Sequence, residues 1–320
     1  MLQPRRPAAS STSTEPATFV SLALLLAAQQ IVVPLGRPPP AVEKPIAPIE
    51  TAGPQFAAAC KDWDDWDKPA PPVRIHGNTY LVGTCGISAI LITDRAGDIL
   101  IDGGPEDAAV LIARNIESLG FNLHDVRILL HSHEHSDHVG GLAKLQQMTG
   151  AQVYASAAAA KVLESGLASA DDPQQGLNKP FPGVHVDHIV HDGEQVRLGN
   201  TILTAVETPG HTPGALTWHW GSCDGGVCRQ IVYADSLTPK SNDSYRFSDH
   251  PAYLAAYRAS IAKVASLNCE ILLSPHPSAS DLVKRLGRGQ PLDDPAACRN
   301  YAAGITKQLD ERLAKEKAGK

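Results

Sequence analysis

A chain of 320 residues, 43% hydrophobic and 19% charged, carries material for one large core or two modest ones and is neither disordered nor fibrous in composition. Its formal charge of −6 at pH 7, with no Lys/Arg cluster interleaved with aromatics, denies it the field that holds a polyanion, so nucleic acid is excluded as a partner. At the start, Arg5 and Arg6 precede an apolar run over residues 17–28 that ends in small residues, the layout of an export signal covering residues 1–28. The run is too short to span a bilayer comfortably, so no stable membrane anchor is expected after processing. Residues 29–54 are rich in Pro, centred on Pro38-Pro39-Pro40, and lack helical or strand periodicity. Residues 29–59 are therefore expected to form a flexible linker, and residues 60–320 the folded domain.

Within that domain, short β-rich runs lie at 79–82, 87–93 and 98–101, divided by Gly and Asp turn signals. Ala109, Ile112, Ala113, Ile116 and Leu119 keep helical spacing until Gly120 stops them. A buried strand at 127–130, a helix at 142–148, a strand at 152–155 and a helix at 157–167 follow. After a Pro/Gln/Gly-rich loop over 171–183, runs at 189–190, 196–198, 202–208, 215–220 and 230–234 suggest a second sheet. A helix at 253–267, a strand at 271–274 and a terminal helix at 296–314 complete the chain. Strands and helices recur in two similar halves, which predicts an α/β sandwich: two mixed sheets packed face to face with helices on the outer faces.

Six cysteines in an exported chain point to disulfides, but six allow about 15 connectivities. Cys223 and Cys228 flank Asp224-Gly225-Gly226, a turn that could close a hairpin. A zinc knuckle is the rival reading there, and it lacks the partner pair at similar spacing. Cys60 follows three alanines like a lipid-attachment site, yet lies about 30 residues beyond the apolar run it should abut, so a disulfide is preferred.

The strongest chemical signal is His131-Ser132-His133-Glu134-His135-Ser136-Asp137-His138, directly after the apolar strand ending at Leu130. A strand end opening into a loop lets ligands converge without orphaning buried backbone. Imidazole and carboxylate are zinc ligands, and a hydrolytic site keeps a position for water. Four candidate ligands in six residues exceed the need of one open site, so two metals fit better. A solvated His-rich tract would require neither Asp137 nor the tight Gly140-Gly141 exit.

The pattern His133-x-His135-x-Asp137-His138 resembles the hallmark of the metallo-β-lactamase superfamily. Further along, Pro209-Gly210-His211-Thr212-Pro213-Gly214, Ser274-Pro275-His276-Pro277 and Asp102-Gly103-Gly104 look like its other motifs, the last with an outer-sphere aspartate, Asp102. The details resemble the third subclass of class B β-lactamases. That resemblance implies a first zinc on His133, His135 and His211 and a second on Asp137, His138 and His276, with serine at 236 where other subclasses place cysteine. Gly83-Thr84-Cys85-Gly86, the 223–228 loop and Asp172-Pro173-Gln174 resemble its three-disulfide branch, which implies the pairs Cys60–Cys85, Cys223–Cys228 and Cys269–Cys298.

The activity implied is hydrolysis of β-lactam antibiotics (penicillins, cephalosporins and carbapenems) by a monomeric periplasmic or secreted enzyme that confers resistance. A hydroxide held between two zinc ions, together with Asp137, would attack the lactam carbonyl, one zinc polarising that carbonyl and the other receiving the nitrogen's charge. Ser236 and Thr238 would accept the substrate carboxylate, and Gln174 would reach it from the loop above. A lactonase is the main enzymatic alternative. A glyoxalase II-like thioesterase, with Asp235 as a bridging ligand, would need a C-terminal domain larger than the roughly 44 residues after His276. A zinc-binding scaffold without activity would tolerate loss of a ligand, whereas all six positions are filled. His185, His188, His191, His219 and His250 are read as ordinary surface or strand residues, and His131 as out of frame for the ligand pattern.

Overall fold

The computed structural model describes residues 46–319; the expected export signal and residues 29–45 of the expected linker lie outside them. The first sheet contains β1 (Val73–His76), β2 (Thr79–Leu81), β3 (Ile90–Ile92), β4 (Asp98–Ile101), β5 (Val126–Leu130), β6 (Gln152–Ser156) and β7 (His188–Val190), in that spatial order. The pairs β1–β2, β2–β3 and β3–β4 are antiparallel, and β4–β5, β5–β6 and β6–β7 parallel. The second sheet runs in the order β12 (Ile271–Leu273), β11 (Val227–Tyr233), β10 (Leu216–Asp224), β9 (Thr201–Glu207), β8 (Gln195–Leu198), antiparallel except between β11 and β12. These are the two packed mixed sheets that the pattern of elements predicts.

Strand alternation builds the layers. In β4, Ile99 and Ile101 point into the core between the sheets with Trp218, Trp220, Tyr233 and Leu273, while Leu100 points the other way. On that outer face Leu100, Leu129 and Val153 meet α2 (Ala108–Ser118), α4 (Leu142–Thr149) and α5 (Ala157–Ser165). The corresponding face of the second sheet, Val232 and Leu272, meets α6 (Pro251–Ser266) and α8 (Ala297–Lys317) through Tyr257, Ile261, Tyr301 and Ile305. Strands buried on both faces read as continuous apolar runs, which is why Ile-Leu-Ile recurs in β3 and β4.

One boundary is corrected. Residues 49–59, expected to be linker, form α1 (Ile49–Ala59), which packs against α7 (Leu282–Gly287). Pro54 and Gly53 hide it from a propensity reading. Tertiary contact supplies the stability instead: Phe56 is fully buried, and a Cβ on Gly53 would stand 2.6 Å from the Leu286 carbonyl oxygen, so glycine is what lets the helices touch. β1 and α7 are further elements beyond those expected, although Val73 and Ile75 alternate with polar residues and Leu282, Val283 and Leu286 keep helical spacing.

Three disulfides are present, Cys60–Cys85, Cys223–Cys228 and Cys269–Cys298, and no described cysteine is free. In the β10–β11 hairpin Cys223 lies opposite Cys228, and the two-residue turn between the strands is Gly225-Gly226, at φ 54° and 86°. Both positions require the left-handed region, which only glycine enters at no cost.

Candidate metal centre

The C-terminal ends of β4, β5, β9, β11 and β12 deliver the site. Past Leu130 the chain carries His133 and His135 and then turns into α3 (Ser136–Val139), which presents Asp137 and His138. The exit from α3 needs close backbone approach: a Cβ on Gly141 would lie 2.3 Å from the Gly103 carbonyl oxygen. His211 follows β9, and His276 follows β12. Glu134, buried between the ligand histidines, accepts Thr212 Oγ1 at 2.7 Å and the Gly214 amide at 2.8 Å, fastening the His133 loop to the His211 loop.

Two overlapping groups of donors can each hold a metal ion. His133, His135 and His211 form one, and His133, Asp137 and His138 the other, the ligand atoms of each lying within 4.8 Å of one another. The second group draws on His133 rather than His276, but His276 borders it, with Nε2 3.4 Å from Asp137 Oδ2. Its ring centroid is 4.9 Å from that of His138. All six expected ligands thus meet in one place.

Four of the five rings are hydrogen-bonded from behind, and the fifth, His138, stands beyond hydrogen-bond distance of Asp102. His133 Nδ1 is 2.8 Å from Asp235 Oδ1, His135 Nε2 is 2.9 Å from Asp172 Oδ2, and His211 Nδ1 is 2.9 Å from the Thr238 carbonyl oxygen. His276 Nδ1 lies 3.3 Å from the Gly86 carbonyl oxygen, and His138 Nδ1 3.7 Å from Asp102 Oδ2. An acceptor on one ring nitrogen fixes the tautomer and leaves the other lone pair for a metal. Asp102, itself at φ 67°, is oriented by the Ser132 amide (2.6 Å), Ser132 Oγ (2.8 Å) and Tyr233 OH (2.7 Å).

The donor set fits zinc. His133 Nε2 and both ring nitrogens of His138 are buried without a hydrogen-bond partner, a costly state that a coordinated cation relieves. Burial and the neighbouring imidazoles hold His133 and His211 well below the usual histidine range, and His276 at about 4, so their lone pairs are free. Burial opposes charge on Asp137, yet His138 and His276 prevail and keep it below the usual carboxylate range. Burial also opposes a proton on His138, but Asp137 and Asp102 outweigh it and raise that group to about 10. The Asp137–His138 pair therefore calls for positive charge, which a divalent cation brings.

The residues expected around the substrate divide. Ser236 Oγ is buried without a hydrogen-bond partner and lines the cleft beside the histidines. Gln174 lines the same cleft, its Nε2 3.3 Å from His211 Nε2. Thr238 turns its Oγ1 to His211 Nδ1 at 3.1 Å, so it positions a ligand as well as facing the cleft. His131 accepts the Ser156 amide at 3.2 Å and takes no part in either metal group; burial lowers it to about 4. Asp235 backs His133 and is not among the metal groups of the described residues. Glu134, and Trp63 and Lys240, which line the same cleft, carry no motif that singles them out in the sequence. Only the alternation of His133, His135 and Asp137 hinted that Glu134 faces elsewhere.

The metallo-beta-lactamase superfamily model matches residues 82–276. The chain belongs to that superfamily. Among solved metallo-β-lactamases, MIM-2 is 55% identical, aligned over 83% of this chain and 98% of its own, with a TM-score of 0.80. MEM-A1, a subclass B3 metallo-β-lactamase from a soil metagenome library, is 45% identical over 80% of this chain and 100% of its own, with a TM-score of 0.76. The hydroxyacylglutathione hydrolase of Fuscovulum blasticum is more distant, 29% identical over 187 residues, which are 58% of this chain and 60% of that protein. The chain thus spans less than two thirds of that curated relative. Within the superfamily it groups with the subclass B3 metallo-β-lactamases, and it carries two groups of donors able to hold a metal ion.

Proposed function

We propose that this metallo-β-lactamase hydrolyses the amide bond of β-lactam antibiotics, penicillins, cephalosporins and carbapenems among them, and so confers resistance, and that it does so with two zinc ions. The observation that carries the reading is the pair of overlapping donor groups, His133/His135/His211 and His133/Asp137/His138, with His276 alongside. Three protein ligands and an open position mark a catalytic rather than a structural zinc site. When bound, zinc supplies Lewis acidity and a water acidic enough to ionise near neutral pH.

The chain's own residues do the rest. His133, His135 and His211 would hold one ion; Asp137, His138 and His276 would hold the other, with Asp137 also orienting the attacking water by accepting its hydrogen bond. Asp235, Asp172 and Thr238 fix the first three rings, so the ligand geometry is set before substrate arrives. The Ser236 hydroxyl donates to the substrate carboxylate, Thr238 flanks it, and Gln174 meets the substrate from the loop above.

The β-lactam reading is preferred to lactone or thioester hydrolysis because the 55% identity to MIM-2 extends over 98% of that enzyme, whereas the likeness to thioesterases is partial. We further infer export to the periplasm or beyond, as a monomer: three disulfides suit an oxidising compartment, and no described helix is long and apolar enough to cross a membrane. The test is nitrocefin turnover by zinc-loaded protein, lost on chelation and regained with zinc, set against turnover of a homoserine lactone. Faster lactone turnover, or chelation without effect, would reject the reading.

A further inference from the structure

Resting on the β-lactamase reading, we propose that Lys240 is the ionic anchor for the substrate carboxylate, and that Trp63 is the positioning residue that holds its ammonium over the mouth of the cleft.

Among the described residues lining the metal cleft, Lys240 is the only lysine or arginine and Asp137 the only carboxylate. Asp137 is turned to His138 and His276. Lys240 is exposed, and among the described residues no carboxylate lies within ion-pair distance of it. Its Nζ sits 5.7 Å from the Trp63 ring centroid. A long flexible ammonium gains from such a platform, because the ring face attracts it without neutralising it. The charge stays available to an anion.

Trp63 is costly by fold criteria alone. It is 69% exposed, and its φ of 60° lies in the left-handed region that disfavours bulky side chains. Its turn is nonetheless pinned: Asp64 Oδ2 accepts the Lys61 amide at 2.7 Å and Lys68 Nζ at 2.7 Å, and Cys60 is bridged to Cys85. The ring is thereby held 6.3 Å from that of His276 and above Lys240.

Charge fixes the direction of approach. The adjoining cleft, about 690 Å³, is lined by Asp64, Asp65, Asp67, Glu106 and Asp107 and shares Asp137, with Lys179 the only lysine or arginine among its described lining residues. A carboxylate is repelled there and attracted at the other end, where Ser236 offers an unpaired hydroxyl. Thr238 is the weaker partner, since its Oγ1 already faces His211 Nδ1.

The experiment measures kcat and KM of the zinc-loaded full chain for benzylpenicillin and its methyl ester, in wild type, Lys240→Ala, Lys240→Arg, Trp63→Ala, Trp63→Phe and the double alanine variant. Lys240→Ala should raise KM for the acid about tenfold, the lower end for a hydrogen bond to a charged group, with kcat nearly unchanged. The effect should shrink in high salt and vanish for the ester, and Lys240→Arg should recover most of it. Trp63→Ala should raise KM less and add little to Lys240→Ala, while Trp63→Phe should stay near wild type. Calorimetric binding of hydrolysed benzylpenicillin should weaken in parallel with KM. An unchanged KM in Lys240→Ala, or equal losses for acid and ester, overturns the proposal. Wild-type protein that turns over no β-lactam overturns the lactamase reading, and this proposal with it, before any variant is made.

Discussion

The Cys269–Cys298 bridge ties the strand that delivers His276 to the helix that supports the opposite wall of the site. Cys269 lies just before β12, and Cys298 in the first turn of α8. One turn further, Tyr301 OH donates to the Asp235 carbonyl oxygen at 2.6 Å and to that of Ser236. The bridge spans 29 residues of sequence, for which chain-entropy loss in the unfolded state gives about 3.6 kcal/mol at 25 °C. The Cys223–Cys228 bridge spans 5 residues, and the same relation gives about 2 kcal/mol for a hairpin already closed by its Gly-Gly turn. At roughly 2 to 4 °C per kcal/mol for a domain of this size, Cys298→Ser should lower Tm by about 10 °C, and Cys223→Ser by about half as much. Both sulfurs of the 269–298 bridge are buried, so the serine also places an unpaired hydroxyl in the core. Differential scanning calorimetry of zinc-loaded protein, without reductant, reads the difference, and metal analysis on the same samples should show zinc retained in Cys223→Ser. Equal Tm values for the two variants, or a larger loss in Cys223→Ser, would refute the loop-length reasoning.

Asp235→Ala removes the acceptor behind His133, and zinc affinity should fall by about 10- to 100-fold, with full metal content recovered in excess zinc. Permanent loss of an equivalent in zinc titrations would make Asp235 a ligand. Ser236→Ala should raise KM with little change in kcat or zinc content, a loss on the order of 1 kcal/mol or somewhat more if the carboxylate strengthens the bond, measured by steady-state kinetics. Burial raises Asp98 from 3.8 to about 6, so the fold binds that proton more tightly than the unfolded chain; its stabilising effect is complete below about pH 4 and gone above about pH 6. Asp98→Asn should therefore be more stable than wild type by about 3 kcal/mol at pH 8, with the advantage disappearing by pH 4, as read from urea midpoints at both pH values.

The features legible in the sequence are the local ones. Four metal-binding side chains within six residues after an apolar strand identify the chemistry wherever the rest of the chain goes. The Ile-Leu-Ile runs mark strands buried on both faces, because the strand period of two is written in adjacent residues. The resemblance carried His211 and His276 into the same site, since their Pro-Gly-His and Ser-Pro-His turns follow strands. Tertiary structure alone decided which groups stand behind those ligands. Asp235 is 102 residues from His133 and Asp172 is 37 from His135, and no spacing rule connects them; sheet order and register bring them within 3 Å. The same holds for α1, whose Gly53 and Pro54 argue against a helix until the Leu286 backbone lies against it, and for Trp63 and Lys240, two unremarkable surface residues until the fold sets one over the other. Local patterns fix which atoms can bind a metal, because that is a property of the side chain. Orientation, tautomer and charge are properties of neighbours, and neighbours distant in sequence are chosen by packing.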